Sequence, residues 1–192
     1  MVIVNGLKTS AQTGTIDATE RAFLIDYLSI SLNETKETLK EVDKDLWQYK
    51  SKNERWSIGE CMEHIMIAEK ALMQQVKGTL QQQANNNKSL SHRDGYVIAK
   101  TVDRGKKVKT PLEPQNVSMT KNQYLKELEK SRDEIIEFLA DENLALRNHF
   151  GKSPFGEVDT YQLILIIAAH GMRHTAQMKE IIAEYTNTEA SY

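Results

Sequence analysis

The sequence is poor in the residues that interrupt helices or cross-link a chain. Its 192 residues include one cysteine, three prolines and nine glycines. The single cysteine, Cys61, excludes an intrachain disulfide and fits a reducing compartment. Because prolines and glycines are few, long stretches of the chain are free to form regular structure.

The sequence also lacks a large excess of charge of either sign and a long apolar run. The formal net charge is −2, so no global charge attracts the chain to nucleic acid or to acidic membranes. The best apolar run, residues 161–172, is about half as long as a membrane-spanning helix requires. The first residues contain too short an apolar run for a signal peptide. We therefore expect a cytoplasmic protein that binds neither nucleic acid nor membrane, unless an export signal precedes Met1.

Four amphipathic segments make up most of the chain. Apolar residues recur at helical spacing over residues 18–43, 57–83, 120–141 and 160–186. Capping-box patterns stand at their starts: Asp17 with Glu20, Ser57 with Glu60, Thr120 with Gln123, and Asp159 with Gln162. No convincing strand pattern is present. The sequence therefore predicts an all-α fold, a four-helix bundle.

The segments form one predicted domain, residues 17–187, between a flexible N-terminal segment, 1–16, and a tail, 188–192. Its second and third helices are joined by a long crossover loop, residues 84–119. Seven Lys and Arg residues against two Asp between residues 86 and 109 make this crossover basic. A connection of this length is either a solvated passage over the bundle or a functional rim that attracts an anionic small molecule.

Two histidines interrupt the apolar run of the last segment. Ile167, His170, His174 and Gln177 follow one another at steps of three and four, so they share one inward helix face. A spacing of four places the two imidazole rings on successive turns, where they can converge. Buried imidazoles need partners for their nitrogens, and one metal ion serves both rings. The pair predicts either half of a zinc-type site or two hydrogen-bonded core histidines.

Three further histidines are candidates for a third ligand. His64 lies beside the apolar stripe of the second segment and can point into the bundle. His92 in the crossover is best explained as a solvated histidine, and His149 as a structural loop residue. Three imidazoles would leave coordination positions open, as in reactive or ligand-binding sites. Cys61 is a conceivable fourth ligand, but its place on the apolar stripe favours a small buried apolar role.

Two stretches of the sequence resemble the DinB-like superfamily. They are RWSIGECMEHI, residues 55–65, and AAHGMRHTAQMKEI, residues 168–181. The resemblance extends over about residues 18–185. It implies a four-helix bundle with a three-histidine metal site, often occupied by zinc or nickel, in a protein that is often a homodimer.

Carried over residue by residue, the resemblance implies that His64, His170 and His174 are the metal ligands. Gln177 occupies a position that is commonly Gln in the superfamily. Some members are transferases that use the low-molecular-weight thiols bacillithiol or mycothiol. For this chain, the resemblance therefore implies a small-molecule substrate and, among the possibilities, a thiol.

Other residues near His64 have structural explanations. Glu60 could accept a hydrogen bond near the site or act as a base, but the capping box with Ser57 explains it fully. Trp56 is expected to pack at the entry of the helix. Glu69 is expected to be turned away from His64.

These observations predict a metal-dependent enzyme with thiol transferase-like or hydrolase-like chemistry. The ion would bind a thiolate or lower the pKa of a bound water. The alternative is a non-catalytic, stress-related protein that binds a metal or ligand at the same residues. The simplest alternative is that the histidines are only buried and hydrogen-bonded.

Overall fold

Long helices dominate the computed structural model, which describes residues 14–50, 56–105 and 111–189. The helices are α1 (Ala18–Leu39), α2 (Lys44–Gln48), α3 (Ile58–Leu80), α4 (Asp94–Val102), α5 (Lys121–Leu139) and α6 (Thr160–Glu189). A 3-10 turn, Ser91–Arg93, precedes α4, and the strands β1 (Phe150–Ser153) and β2 (Gly156–Asp159) precede α6. Most of the predicted N-terminal segment and the end of the predicted tail lie outside the described residues.

The long helices begin at the predicted capping boxes. The Asp17 carboxylate accepts from the Glu20 backbone at 2.8 Å, and the Glu20 carboxylate accepts from the Asp17 backbone at 3.1 Å. The same reciprocal pair occurs at Ser57 and Glu60, Thr120 and Gln123, and Asp159 and Gln162. These bonds satisfy amides that have no partner within the first helical turn. The helix ends differ from the predicted ones, since α1 ends at Leu39 and α6 continues to Glu189.

Helix α6 is the central element of the fold. It packs against α1, α3 and α4, while α5 packs against α1 and α3. All side chains of residues 161–169 are buried, so the first third of α6 is covered on every side. The mostly helical structure agrees with the predicted all-α class. Within the described residues, no helix is long and apolar enough to cross a membrane.

The hairpin before α6 is a departure from the predicted absence of strands. Strands β1 and β2 are antiparallel, with Phe150 opposite Asp159 and Ser153 opposite Gly156. Gly156 has a φ of 97°, a conformation that glycine adopts without the steric cost of a side chain. Each strand has only four residues, which is too short to show a clear alternation of apolar and polar residues.

The crossover is also more ordered than predicted, because it contains the 3-10 turn and α4. Val97 and Thr101 are buried against α6, so α4 forms an added layer on the central helix. Part of the basic character of the crossover serves the hairpin. Arg93 donates to the carbonyl oxygens of Phe155 and Glu157 at 2.9 and 2.8 Å, and Lys88 pairs with the Glu157 carboxylate.

Candidate metal centre

A cavity of about 570 Å³ lies between α3, α4 and α6, and three histidines form part of its wall. His64 comes from α3, while His170 and His174 come from successive turns of α6. His170 is partly exposed and lines the cavity. His64 and His174 are buried, with 3% and 6% of their surfaces exposed.

The Nε2 atoms of the three rings converge. Nε2 of His170 lies 3.1 Å from Nε2 of His64 and 3.1 Å from Nε2 of His174. One ligand atom from each ring lies within 4.8 Å of the others. Nitrogen ligands about 2.0–2.1 Å from a tetrahedral zinc ion are roughly 3.3 Å apart. The two separations measured from His170 therefore match those that a shared metal ion requires.

The opposite nitrogens of two rings are held by oxygen atoms. Nδ1 of His64 lies 2.7 Å from the Leu112 carbonyl oxygen, and Nδ1 of His174 lies 2.9 Å from Gln177 Oε1. Carbonyl oxygens accept hydrogen bonds and cannot donate them, so each Nδ1 must carry the proton. In a neutral ring the Nε2 atom then keeps its lone pair. Such outer hydrogen bonds orient histidine ligands in metal sites.

The three rings cannot satisfy one another by hydrogen bonding alone. The Nε2 atoms of His64 and His174 are both acceptors, and both face Nε2 of His170. A neutral His170 has one N–H, which serves at most one of these acceptors well. A buried acceptor without a donor is unfavourable. A cation at the point of convergence would bind all three lone pairs, so the donor set fits a divalent metal.

Burial keeps the three imidazoles neutral. Burial, with smaller electrostatic contributions from His64, Arg173 and Arg132, lowers the pKa of His170 to about 3. Burial also places the pKa of His174 well below its ordinary value. The pKa of His64 is lowered mainly by burial, although the Leu112 carbonyl acts in the opposite direction. Neutral rings are the form in which histidine binds metal.

Arg104, which sequence reasoning missed, holds Gln177 in place. Its Nη1 donates to Gln177 Oε1 at 3.2 Å, while Nε and Nη2 donate to the Glu180 carboxylate at 3.0 and 2.7 Å. Because a guanidinium only donates, it requires the amide oxygen and not the amide nitrogen at this point. The same oxygen accepts from His174, so Arg104 supports the tautomer in which Nε2 of His174 keeps its lone pair.

Trp56 lies at the histidines and not only at the helix entry. Its ring centroid is 4.7 Å from that of His64 and 5.8 Å from that of His174. It also lines the cavity. The expectation that Trp56 only packs at the helix entry is therefore incomplete, because its indole also covers two of the three histidine rings.

Glu60 occupies the helix cap and does not line the described part of the cavity. Its carboxylate also lies 2.8 Å from the Lys50 ammonium group. Glu69 is turned toward α5, where it lies 2.8 Å from Arg132 and accepts from Ser131 at 2.7 Å. Neither carboxylate contacts the histidine rings, so the described geometry offers neither as a base.

A glycine between the two α6 histidines permits close packing behind them. A Cβ atom at Gly171 would lie 2.5 Å from Ser31 Oγ and 3.2 Å from Arg132 Nη2. The Ser31 hydroxyl also donates to the Ala168 carbonyl oxygen at 2.8 Å. Side chains of α1 and α5 thus approach α6 closely at the residue between His170 and His174.

The remaining candidates lie elsewhere. His92 is exposed in the 3-10 turn, and the backbone oxygen of His149 accepts from Thr160 at 3.0 Å. Cys61 is fully buried in the apolar core, as predicted, and burial raises the pKa of its thiol. Of the described Cys, His, Asp and Glu residues, one group could hold a metal ion, and it comprises His64, His170 and His174.

Fold and site together define a helical protein whose buried three-histidine cluster opens into a cavity. The sequence model of the DinB superfamily matches residues 27–178, which include all three histidines and Gln177. This match covers most of the chain, and the chain therefore belongs to the DinB superfamily. Comparisons with curated proteins and with solved structures find no match.

Proposed function

We propose that this protein is a metal-dependent enzyme acting on a small molecule, with zinc or nickel held by His64, His170 and His174. The observation that carries the proposal is the convergence of three Nε2 atoms, two of them fixed as acceptors by the bonds at Nδ1. Neutral imidazoles suit both metals. When bound, such an ion supplies a Lewis acid that stabilises anionic ligands such as a thiolate. The four long helices are interpreted as a bundle of the DinB type.

The chain itself supplies a site that is neither closed nor fully exposed. Three imidazoles leave at least one position of a tetrahedral ion for a ligand. The cavity beside the rings provides the space for that ligand. Trp56 covers two of the rings and limits the approach of water from its side.

The carboxylates favour thiol transfer over hydrolysis. Glu180 lines the cavity, but both of its oxygens accept from Arg104. Glu60 and Glu69 are engaged by the helix cap and by Arg132. A metal ion lowers the pKa of bound water, but hydrolysis gains further from a base beside that water, whereas a thiol bound to the ion is deprotonated outright. We therefore favour S-transfer from a low-molecular-weight thiol. The predicted homodimer and cytoplasmic location stay predictions.

Elemental analysis of untagged protein tests the metal site. We expect about one zinc or nickel per chain, with loss of the metal in His64→Ala and in His170→Ala. His92→Ala is the matched control, because His92 is exposed and outside the cluster. If carefully purified wild type neither contains zinc or nickel nor binds them when they are added, the histidines are only buried core residues and the proposal is wrong.

A panel of thiols with electrophilic acceptors, run beside a panel of hydrolysable esters and amides, tests the chemistry. We expect metal-dependent thiol transfer that the His170→Ala variant lacks. Stoichiometric metal without turnover in either panel would contradict an enzymatic role. That result would instead favour the alternative, a non-catalytic protein that binds a metal or ligand.

A further inference from the structure

The cavity continues beyond the histidines along a stretch that we call the apolar arm. Its wall is formed by six apolar residues from α3, α6 and the hairpin turn: Ala68, Ala71, Leu72, Ile166, Pro154 and Phe155. This arm is the part of the cavity that the proposed metal site does not explain.

Helical spacing places the arm directly beside the metal-binding rings. Ala68 lies one turn beyond His64 on α3, and Ala71 and Leu72 lie about two turns beyond it. Ile166 lies one turn before His170 on α6. Both helices therefore carry the wall away from the rings on the same side of the site, toward the hairpin. A ligand bound at the metal could therefore extend into the arm without bending back on itself.

Three of the four charged residues that line the cavity lie near its Gln177 end. Arg104 and Glu180 form an ion pair near Gln177, on the other side of the rings. Arg173 donates to the carbonyl oxygen of Asp103. The fourth, Lys100, is exposed, and its ammonium group lies 5.9 Å from the centroid of the Tyr96 ring. Among the described residues that form the arm, none is charged. A charge on a ligand held against these six side chains would lose water without gaining a partner from them.

Two small side chains on α3 leave the volume of the arm open. Ala68 and Ala71 face the cavity from α3, at positions where a larger residue would occupy the volume. The polar residue farther along the same helix face, Gln75, donates its amide to the Lys152 carbonyl oxygen at 2.6 Å. The cavity volume of about 570 Å³ lies within the range of about 300–1,000 Å³ that small-molecule sites occupy.

We propose that the ligand of this site carries an uncharged apolar body next to its metal-binding group, and that this body lies in the apolar arm. The inference rests on the proposed metal site and adds the chemical class of the ligand. It distinguishes this ligand from a wholly polar or polyanionic molecule, for which the arm provides no partner.

Straight-chain hydroxamic acids, from acetohydroxamic to octanohydroxamic acid, test the inference on cobalt-loaded protein. The hydroxamate binds the metal, and its binding is followed by the change in the cobalt absorption spectrum. We expect the dissociation constant to fall about fourfold for each added methylene group until the arm is filled. Chains of equal length that end in a carboxylate should lose this gain. An affinity that is independent of chain length would overturn the inference.

Two substitutions on α3 locate the effect. Ala71→Phe should fill the arm, so that acetohydroxamate still binds while the gain with chain length disappears. Gln74→Phe is the matched control, because it adds the same ring at an exposed position of the same helix that does not line the cavity. Ala71→Leu serves the same purpose with a smaller volume if the phenylalanine variant does not fold.

The outcomes separate this inference from the proposed function. If the wild type binds neither cobalt nor acetohydroxamate, the metal site itself is wrong and both proposals fall. If acetohydroxamate binds and longer chains bind no better, the metal site stands and only the apolar arm fails as a binding site. A chain-length gain that persists unchanged in Ala71→Phe also contradicts the assignment to the arm.

Discussion

Two polar clusters lie along α6, and they differ in whether their buried donors and acceptors satisfy one another. At the start of the helix, Arg147 donates to Glu20 at 2.8 Å, to Asp94 at 2.7 Å and to Asp159 at 3.1 Å. Its guanidinium also lies 3.6 Å from the centroid of the Tyr161 ring. We call these four charged residues the arginine cluster. Every donor and acceptor pair in it is complementary.

The histidine cluster, three turns farther along the helix, is not complementary. Two ring nitrogens that can only accept face a third ring that can donate to just one of them. The comparison shows that burial alone does not mark a functional site. A cluster whose groups satisfy one another holds the fold together, while a cluster that needs an added cation indicates a ligand.

The largest expected effect comes from breaking the arginine cluster. Arg147→Met leaves three carboxylates near one another, of which Asp159 is fully buried, so we expect the free energy of unfolding to fall by about 3–5 kcal/mol. Denaturant titration measures this loss. Lys36→Met is the control, since the Lys36–Glu129 pair is exposed and its loss should change the free energy of unfolding far less. Equal losses in the two variants would contradict the structural role of the cluster.

Metal addition should stabilise the protein through the histidine cluster. An ion that binds only the folded chain adds about 2.7 kcal/mol when its free concentration is a hundred times its dissociation constant. We expect zinc or nickel to raise the melting temperature of the wild type and of a folded arginine-cluster variant such as Glu20→Gln, but not of His64→Ala. Thermal melts with and without metal measure the difference. A similar shift in His64→Ala would mean that the ion binds elsewhere.

Arg104 offers a way to perturb the histidine cluster without replacing a histidine. Arg104→Met frees the Gln177 amide to rotate, so we expect metal affinity to fall about 10- to 100-fold. Nitrogen NMR of the metal-free protein should show part of the His174 population with its proton on Nε2. Arg93→Met is the control, because Arg93 holds the hairpin through backbone carbonyl oxygens. Unchanged His174 signals in Arg104→Met would show that Gln177 needs no such support.

The two clusters should respond to pH with opposite signs in metal-free protein. Burial lowers the pKa of His170 from 6.5 to about 3, so the unfolded chain binds the extra proton and stability falls as pH falls below about 6.5. Burial raises the pKa of Asp159 from 3.8 to about 6, so its contribution is lost as pH rises through this range. Each group changes the free energy of unfolding by up to about 1.4 kcal/mol per pH unit.

Unfolding of His170→Ala and Asp159→Asn over pH 4–7, in the presence of a chelator, measures these slopes. Relative to wild type, His170→Ala should lose less stability on acidification, and Asp159→Asn should lose more. Parallel curves for all three proteins would contradict both pKa shifts.

Local patterns were sufficient to predict where the long helices start and which two histidines share a face of α6. Capping boxes at Asp17, Ser57, Thr120 and Asp159 mark the starts of the long helices because caps act within one turn of the chain. The spacing of His170 and His174 places them on one helix face, and the resemblance to the superfamily points to His64. Helix α4 was missed because it has only nine residues and is stabilised by packing on α6.

The supports of the site could not be predicted, because they join residues far apart in the chain. The Arg104 to Gln177 bond spans 73 residues, and the contact of Ser31 with α6 spans 137. Nothing in the local sequence distinguishes Arg104 from the other cations of the crossover. Gly171 looks like an ordinary helical glycine until Ser31 and Arg132 are seen against it.

Periodicity and composition alone were enough for the helical class, the helix starts and the shared face of His170, His174 and Gln177, because each depends on residues within a few turns. Tertiary packing decided the rest. It brought His64 of α3 to 3.1 Å from His170, formed the apolar arm and turned Glu69 toward Arg132. These features depend on how separate helices approach one another, and that approach is determined by side-chain packing across the whole core.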